Sequence, residues 1–242
     1  MKDRKRRKKV YILSGAGISA ESGIKTFKES DDGLWENHSV EEVYSLQGWK
    51  RDRRKVSDFY DARRIELADK KPNRAHYALA ELKSKYPNNI VLLTQNIDDL
   101  LERAGCDAVI HLHGTLVDLR CESCQHEFRI GYESQKGKQC PKCHSRHIRH
   151  NIAMFGEDVP KYAFLTALCQ EADMLVVLGS SGEVIDTASL AKIVPNSILC
   201  NLDPDPSIDQ YFKTSIHEAA STGVDKVLAL VEEYLILENQ VV

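Results

Sequence analysis

Short, uninterrupted apolar runs alternate along this chain with segments whose apolar residues repeat at helical spacing. The runs are Val10-Tyr11-Ile12-Leu13, Ile90-Val91-Leu92-Leu93, Ala108 to Gly114, Met174 to Leu178, and Ser197-Ile198-Leu199-Cys200. Each has the length of a strand and ends in a polar or glycine-bearing cluster, so each predicts a strand buried on both faces. Between them, Ala75, Leu79, Leu82 and Tyr86 recur at i, i+4, i+7 and i+11, with Pro72-Asn73 as a helix start signal. Residues 161–173 show a similar period, as does a last helix carrying Val224, Val227, Leu228, Val231, Tyr234 and Leu235 on one stripe. Residues 40–69 are charge-rich without strand alternation and read as helical. This alternation predicts an α/β fold, a Rossmann-like parallel sheet with helices on both faces.

In such sheets ligands bind beyond the carboxyl ends of the strands. Five polar clusters fall there: Gly15-Ala16-Gly17, Thr94-Gln95-Asn96-Ile97-Asp98, His111-Leu112-His113-Gly114, Gly179-Ser180-Ser181 and Asn201-Leu202-Asp203. Folding needs alone do not ask for five such clusters on one edge. The glycines after the first run suit a tight turn where backbone approaches a pyrophosphate, with a helix N-terminus supplying N–H groups. Glycine there also serves turn geometry with no ligand at all. Asn96 and Asp98 offer an amide and a carboxylate for directional contacts to a ligand, and Asn or Asp at a strand end also caps helices. Histidine suits proton transfer near neutral pH. His111 and His113 point to the same face of a strand, so spacing does not choose between them.

The chain of 242 residues, 42% hydrophobic and 29% charged, is ordinary for a globular protein. A net charge of −3 gives no global field for nucleic acid or an anionic membrane. Seven of residues 2–9 are Lys or Arg, which reads as a solvated tail over 1–9. The four apolar residues after it are too few for a signal peptide, and no run is long enough to span a bilayer. Seven cysteines are present, four as Cys121-x2-Cys124-x15-Cys140-x2-Cys143. That spacing predicts one tetrahedral Zn site, closed by four thiolates and therefore structural. The remaining Cys106, Cys169 and Cys200 are scattered, which fits a reducing, cytoplasmic setting.

The string Gly15-Ala16-Gly17-Ile18-Ser19-Ala20-Glu21-Ser22-Gly23-Ile24 resembles the signature of the sirtuins, NAD-dependent protein-lysine deacylases, and later segments follow it in order to about Val224. The resemblance implies an NAD site made of Gly15, Ala16, Gly17, Ile18, Ser19, Glu21, Thr26, Phe27, Lys28, Trp35, Gln95, Asn96, Ile97, Asp98, Gly179, Ser180, Ser181, Asn201, Leu202, Asp203 and Val224. Asp31 to Trp35 would be a loop closing over it. His113 would be the catalytic base, assisted by Asn96 and Asp98. Phe155-Gly156-Glu157 would sandwich an acyl-lysine peptide as an added strand with Glu183 and Val184. In this family NAD is consumed as a co-substrate. The acyl carbonyl oxygen attacks C1′ of the nicotinamide ribose, nicotinamide leaves, and the acyl group ends on ADP-ribose.

The resemblance further implies a discontinuous NAD-binding domain (10–35, 73–115 and 157–237) and a small domain from a helical module (36–72) and a zinc module (116–156). Departures from the family pattern occur at Lys25, Lys28, Leu101, Ala153, Met154 and Asp186. On a helix over 55–69, Tyr60 and Arg63 are i, i+3 neighbours, a phenol and a guanidinium that together can receive a carboxylate. Taken alone, the many nearby arginines read as a solvated basic face. Tyr-x-x-Arg at this place resembles the acyl pocket of sirtuins that remove succinyl and malonyl groups. The expected protein is a monomeric deacylase acting on acetyl and on succinyl or malonyl lysine. The alternatives are an NAD glycohydrolase or mono-ADP-ribosyltransferase on the same scaffold, or an NAD-sensing module without turnover.

Overall fold

A computed structural model describes residues 6–25, 34–35 and 38–237. Thr26, Phe27, Lys28 and residues 31–33 of the expected closing loop lie outside the described residues, and Trp35 is placed in a strand by its backbone only. The chain opens with β1 (Val10–Ser14) and a single helical turn, α1 (Gly17–Ala20). An antiparallel pair, β2 (Leu34–Trp35) and β3 (His38–Ser39), leads into α2 (Val40–Tyr44), α3 (Leu46–Arg51) and α4 (Arg53–Leu67). Ser45 and Asp52 cap α3 and α4 by accepting from the backbone N–H groups of Gly48 and Lys55, which divides the expected helical stretch into three. The chain then returns through α5 (Arg74–Lys85), β4 (Ile90–Thr94), the turn α6 (Leu100–Arg103) and β5 (Ile110–His111). A three-stranded antiparallel ribbon follows, β6 (Gly114–Cys121), β7 (Glu127–Arg129) and β8 (Ile148–Ile152). The remainder is α7 (Pro160–Gln170), β9 (Met174–Leu178), α8 (Thr187–Ile193), β10 (Ser197–Asn201), α9 (Pro206–Asp209), β11 (Thr214–His217) and α10 (Ala220–Leu237).

The main sheet has the order β11-β10-β9-β1-β4-β5, and its pairs are parallel. Strand order therefore reverses between β1 and β9, the switch point of a Rossmann-like sheet. Alternate residues of β1 serve opposite cores. Val10 and Ile12 pack with Leu79, Val224 and Val227 from α5 and α10, whereas Tyr11 and Leu13 pack with Leu165 and Leu190 from α7 and α8. That double burial explains why the strand reads as a continuous apolar run. Strand β11 has only Ile216 as an apolar residue and lies at the sheet edge, so it lacks the run that marks the inner strands. The third strand is shorter than its apolar run suggested: β5 ends at His111, and Leu112 N–H bonds to the Thr94 carbonyl as the chain leaves the sheet.

The small domain joins α2–α4 to the ribbon through its own core of Val43, Trp49, Val56, Phe59, Tyr60, Leu116 and Ile152. Arg64 does not belong to a solvated basic face. It is fully buried, pairs with Asp61 at 2.5 Å and donates through Nε to the Leu116 carbonyl. Asp61 also accepts from Ser134 Oγ and from the Gln135 backbone N–H at 3.0 Å, which fixes α4 to the zinc module.

At the switch point the ends of β1 and β9 nearly touch. The Gly17 N–H donates to the Gly179 carbonyl at 2.9 Å. A Cβ on Gly15 would lie 2.6 Å from the Gly179 oxygen, and one on Gly17 would lie 2.8 Å from the Gly179 Cα. Gly179 itself has φ +67°, which favours glycine. Gly15→Ala should therefore destabilise the fold even without ligand, by about 1–3 kcal/mol, lowering Tm by several degrees for a chain of this size. A thermal melt checks this. An unchanged midpoint with weakened NAD binding would mean that the glycine serves the ligand and not the strand contact.

Candidate active site

One cavity of about 1120 Å³ opens at the carboxyl edge of the sheet. Its wall includes Gly15, Ala16, Gly17, Ser19, Glu21, Gln95, Asn96, Ile97, Asp98, His113, Gly179, Ser180, Ser181, Asn201, Leu202 and Asp203. The same cavity is also lined by Tyr60, Arg63, Phe155, Gly156, Glu157, Glu183 and Val184. Its volume is slightly above the range of about 300–1,000 Å³ usual for small-molecule sites. Ile18 and Val224 are fully buried in the sheet core and are not on this wall, where Ala219 and Ala220 stand instead of Val224. The expectation of a helix N-terminus facing a pyrophosphate is modified. Helix α1 is one turn long, and the N–H groups of Gly17, Ile18 and Ser19 already donate to Gly179, Gly15 and Ala16.

Ser19 is the hub of the polar wall. Its Oγ donates to Asp98 Oδ2 at 3.0 Å and accepts from Asn96 Nδ2 at 3.1 Å. His76 Nε2 approaches the same Oγ at 3.4 Å, while His76 Nδ1 accepts from the Asn73 backbone N–H. Burial pushes the His76 pKa down to about 4, so the ring is neutral and Nε2 carries its proton. Because the unfolded ring titrates near 6.5, His76 makes the fold less stable as pH falls from 6.5 towards 4. Asp98 is raised by burial, opposed by the Leu100 N–H and by Ser19. Its Oδ1 accepts from Leu100 N–H at 3.1 Å, a local turn bond just ahead of α6, whose N-cap position is held by Asp99. Gln95 Nε2 donates to Ser180 Oγ at 2.8 Å, and the Asn201 side chain exchanges two hydrogen bonds with the Ser180 backbone. Glu21 accepts from the Ser221 N–H and Oγ, which ties it to the first turn of α10.

Two histidines that spacing left equivalent are separated by structure. His111 Nδ1 bonds to the Asn96 carbonyl at 3.0 Å and its Nε2 meets Glu102 at 2.7 Å. Burial is the largest single influence and works against its charge, but Glu102, the Asn96 carbonyl and Asp98 together outweigh it and raise the pKa. His113 lies past the strand and on the cavity wall. Its Nδ1 donates to the Gln95 carbonyl at 2.7 Å, because that oxygen can only accept. With Nδ1 carrying a proton, the neutral tautomer of this ring is the one that presents the Nε2 lone pair, and Nε2 meets the Tyr162 hydroxyl at 2.5 Å. Tyr162 carried no signal in the sequence, since it sits within an ordinary amphipathic helix.

At the acyl end, Tyr60 is buried, and its ring lies 4.1 Å from that of His150 and 5.8 Å from that of Tyr44. Burial, with the Tyr44 phenol, raises the Tyr60 pKa well above 10, so it stays a neutral donor. Arg63 pairs with Glu66 on the same helix. Met154 is buried, whereas Phe155 is exposed and its backbone bonds to Tyr44 and Leu46. Glu157 is a staple for this loop: it takes a two-pronged contact from buried Arg149 at 2.6 and 3.1 Å and accepts from Met154 N–H. Burial opposes its charge, but Arg149 and the Met154 N–H lower its pKa. Asp186 caps α8 by accepting from Ser189, which accounts for the acid at that position.

The four cysteines come together. All four Sγ atoms lie within 4.8 Å of one another, with Cys121–Cys143 at 3.6 Å and Cys124–Cys140 at 3.7 Å. A tetrahedron with Zn–S bonds near 2.3 Å has edges of about 3.8 Å, so the set fits one zinc ion. All four positions are filled by protein, and the site packs into a small core with Leu119 and Ile148, away from the cavity wall.

A sequence model described as the Sir2 family matches residues 15–186. The NAD-dependent protein deacylase of Campylobacter jejuni (strain RM1221) is 46% identical over 228 residues, covering 94% of this chain and 97% of that protein. A crystal structure of a Sir2 homolog–NAD complex superposes with TM-score 0.80 at 35% identity, covering 94% of this chain and 91% of that one. A Sir2 bound to acetylated peptide superposes with TM-score 0.74 at 28% identity, covering 94% of each chain.

Cys140→Ser should release zinc and unfold the ribbon, because a closed thiolate site contributes folding free energy directly. Metal analysis of protein purified without chelators checks this: about one zinc per wild-type chain, and much less in the variant. Absence of stoichiometric zinc in the wild type would remove the assignment.

Proposed function

The chain belongs to the Sir2 family, and on that premise we propose that it is an NAD-dependent protein-lysine deacylase with activity on acetyl and on succinyl or malonyl groups. The reading rests on one observation. A single cavity holds the glycine-lined edge of the sheet, the Asn96–Asp98 pair, the Nε2 face of His113 and the Tyr60–Arg63 pair. NAD would lie along the sheet edge, with Asn96 and Asp98 toward the nicotinamide and its ribose. The acyl-lysine would enter past Phe155 and Val184. The acyl carbonyl oxygen attacks C1′ as nicotinamide leaves, and His113 takes a proton from a ribose hydroxyl at Nε2. The Gln95 carbonyl holds the ring in the tautomer that leaves Nε2 basic. The deprotonated hydroxyl attacks the acyl carbon, the C–N bond to the lysine breaks with the amine leaving, and a water adds at the acyl carbon, so the acyl group ends on ADP-ribose.

The acidic-acyl part is supported by Arg63 and Tyr60 on one face of α4. The Arg offers a fork that matches a carboxylate and the Tyr a neutral O–H. Other features bear on setting. Among the described residues no helix is long and apolar enough to cross a membrane, and the seven cysteines are free thiols or zinc ligands, which supports a cytoplasmic, reducing milieu.

Two variants test the proposal. His113→Ala should lower deacylation by roughly 10²–10⁴-fold while retaining NAD binding and the melting temperature; turnover like wild type would refute the base assignment. Mass spectrometry of products distinguishes O-acyl-ADP-ribose from free ADP-ribose, the product of a glycohydrolase. Arg63→Met should lower the ratio of succinyl to acetyl kcat/KM by about ten- to a hundredfold, since losing a charged hydrogen bond costs about 1.5–3 kcal/mol. Equal losses on both substrates would remove the acidic-acyl reading.

A further inference from the structure

Arg63 already holds a carboxylate, and it is one of the chain's own. Glu66, one turn further along α4, lines the same cavity. Its Oε2 lies 3.2 Å from Arg63 Nη1 and its Oε1 accepts from Nη2 at 3.3 Å. Both prongs of the guanidinium therefore meet both oxygens of one carboxylate, the arrangement an acidic acyl group would seek. Glu66 is 54% exposed and Arg63 24% exposed. The guanidinium also lies 5.4 Å from the Phe59 ring centre, so packing holds its position while Glu66 has open water beside it.

We infer that Glu66 is a specificity-determining residue: it stands in for the acyl carboxylate on Arg63, opposing acidic acyl groups and leaving the pocket charge-balanced for neutral ones. The inference rests on the reading of Tyr60 and Arg63 as the acyl wall. An incoming carboxylate must either displace Glu66 or sit beside it as a like charge, and both outcomes weaken its binding. An uncharged acyl group does neither. The pair is partly solvated and screened, so the penalty is modest. Its sign is nonetheless definite.

Glu66→Gln keeps the side chain's size and removes the charge. It should raise the succinyl-to-acetyl ratio of kcat/KM by about two- to fivefold, the scale of an exposed ion pair. The experiment measures both substrates in wild type, Glu66→Gln, Arg63→Met and the double variant, and titrates succinyl-lysine peptide by calorimetry without NAD. The expected result is a raised ratio and tighter succinyl-peptide binding in Glu66→Gln, both absent in the Arg63→Met background. A Glu66→Gln effect that is equal on both substrates, or that persists without Arg63, overturns the inference while leaving the acyl pocket intact. Arg63→Met acting equally on both substrates overturns the pocket itself, and the role of Glu66 with it.

Discussion

The turns after β1 and β9 approach so closely that no side chain fits between them, and the rest of the site is arranged around that contact. Gly15 and Gly17 meet Gly179 backbone to backbone. This brings the Ser19 hub and the Ser180–Asn201 brace to the same sheet edge, from halves of the sheet that wind in opposite directions. Gln95 then links the brace to His113, reaching Ser180 with its side-chain amide and His113 with its backbone carbonyl. The glycines therefore serve the contact between strands first, and the approach of a ligand second.

Four histidines show how far environment outweighs residue type. His76 is neutral because it is buried with a polar partner at each nitrogen, and His111 is held toward the charged form by Glu102. His150 is fully buried among Arg149, Arg64 and Arg120, packs against Tyr60 and has no hydrogen-bond partner at either ring nitrogen; burial first, and those arginines second, push its pKa far down. Only His113, of these four, lines the cavity. The backbone carbonyls that orient His111 and His113 belong to adjacent residues, Asn96 and Gln95, so two similar rings receive different tasks from their second nitrogen.

The sequence made the inner strands and their polar ends legible because burial on both faces writes itself as an apolar run. The zinc cysteines were legible for a different reason, since ligand spacing is local. What stayed hidden depends on contacts remote in the chain. Tyr162 is 49 positions from His113 and Arg64 reaches Leu116 across 52, and neither pairing leaves a local pattern. Edge strand β11 was hidden because an edge needs few apolar residues. The burial of Arg64 is not legible, because a charge buried by a tertiary partner looks the same in sequence as one in water. The i, i+3 spacing of Tyr60 and Arg63 is visible in the sequence, and so is the equal spacing of Arg63 and Glu66, but only the fold shows that the second pair is in contact.

The central position of β1 has a consequence for how the protein comes into being. One of the two neighbours of β1 is near in sequence, since β4 pairs Val10 with Ile90, while the other, β9, pairs Val10 with Met174. An emerging chain therefore carries an apolar strand with one open edge until β9 has been made. Such an edge invites pairing with other chains, and its closure is a non-local, slow step. The dinucleotide edge of the cavity has no existence before that closure, because Gly179, Ser180 and Asn201 arrive with it.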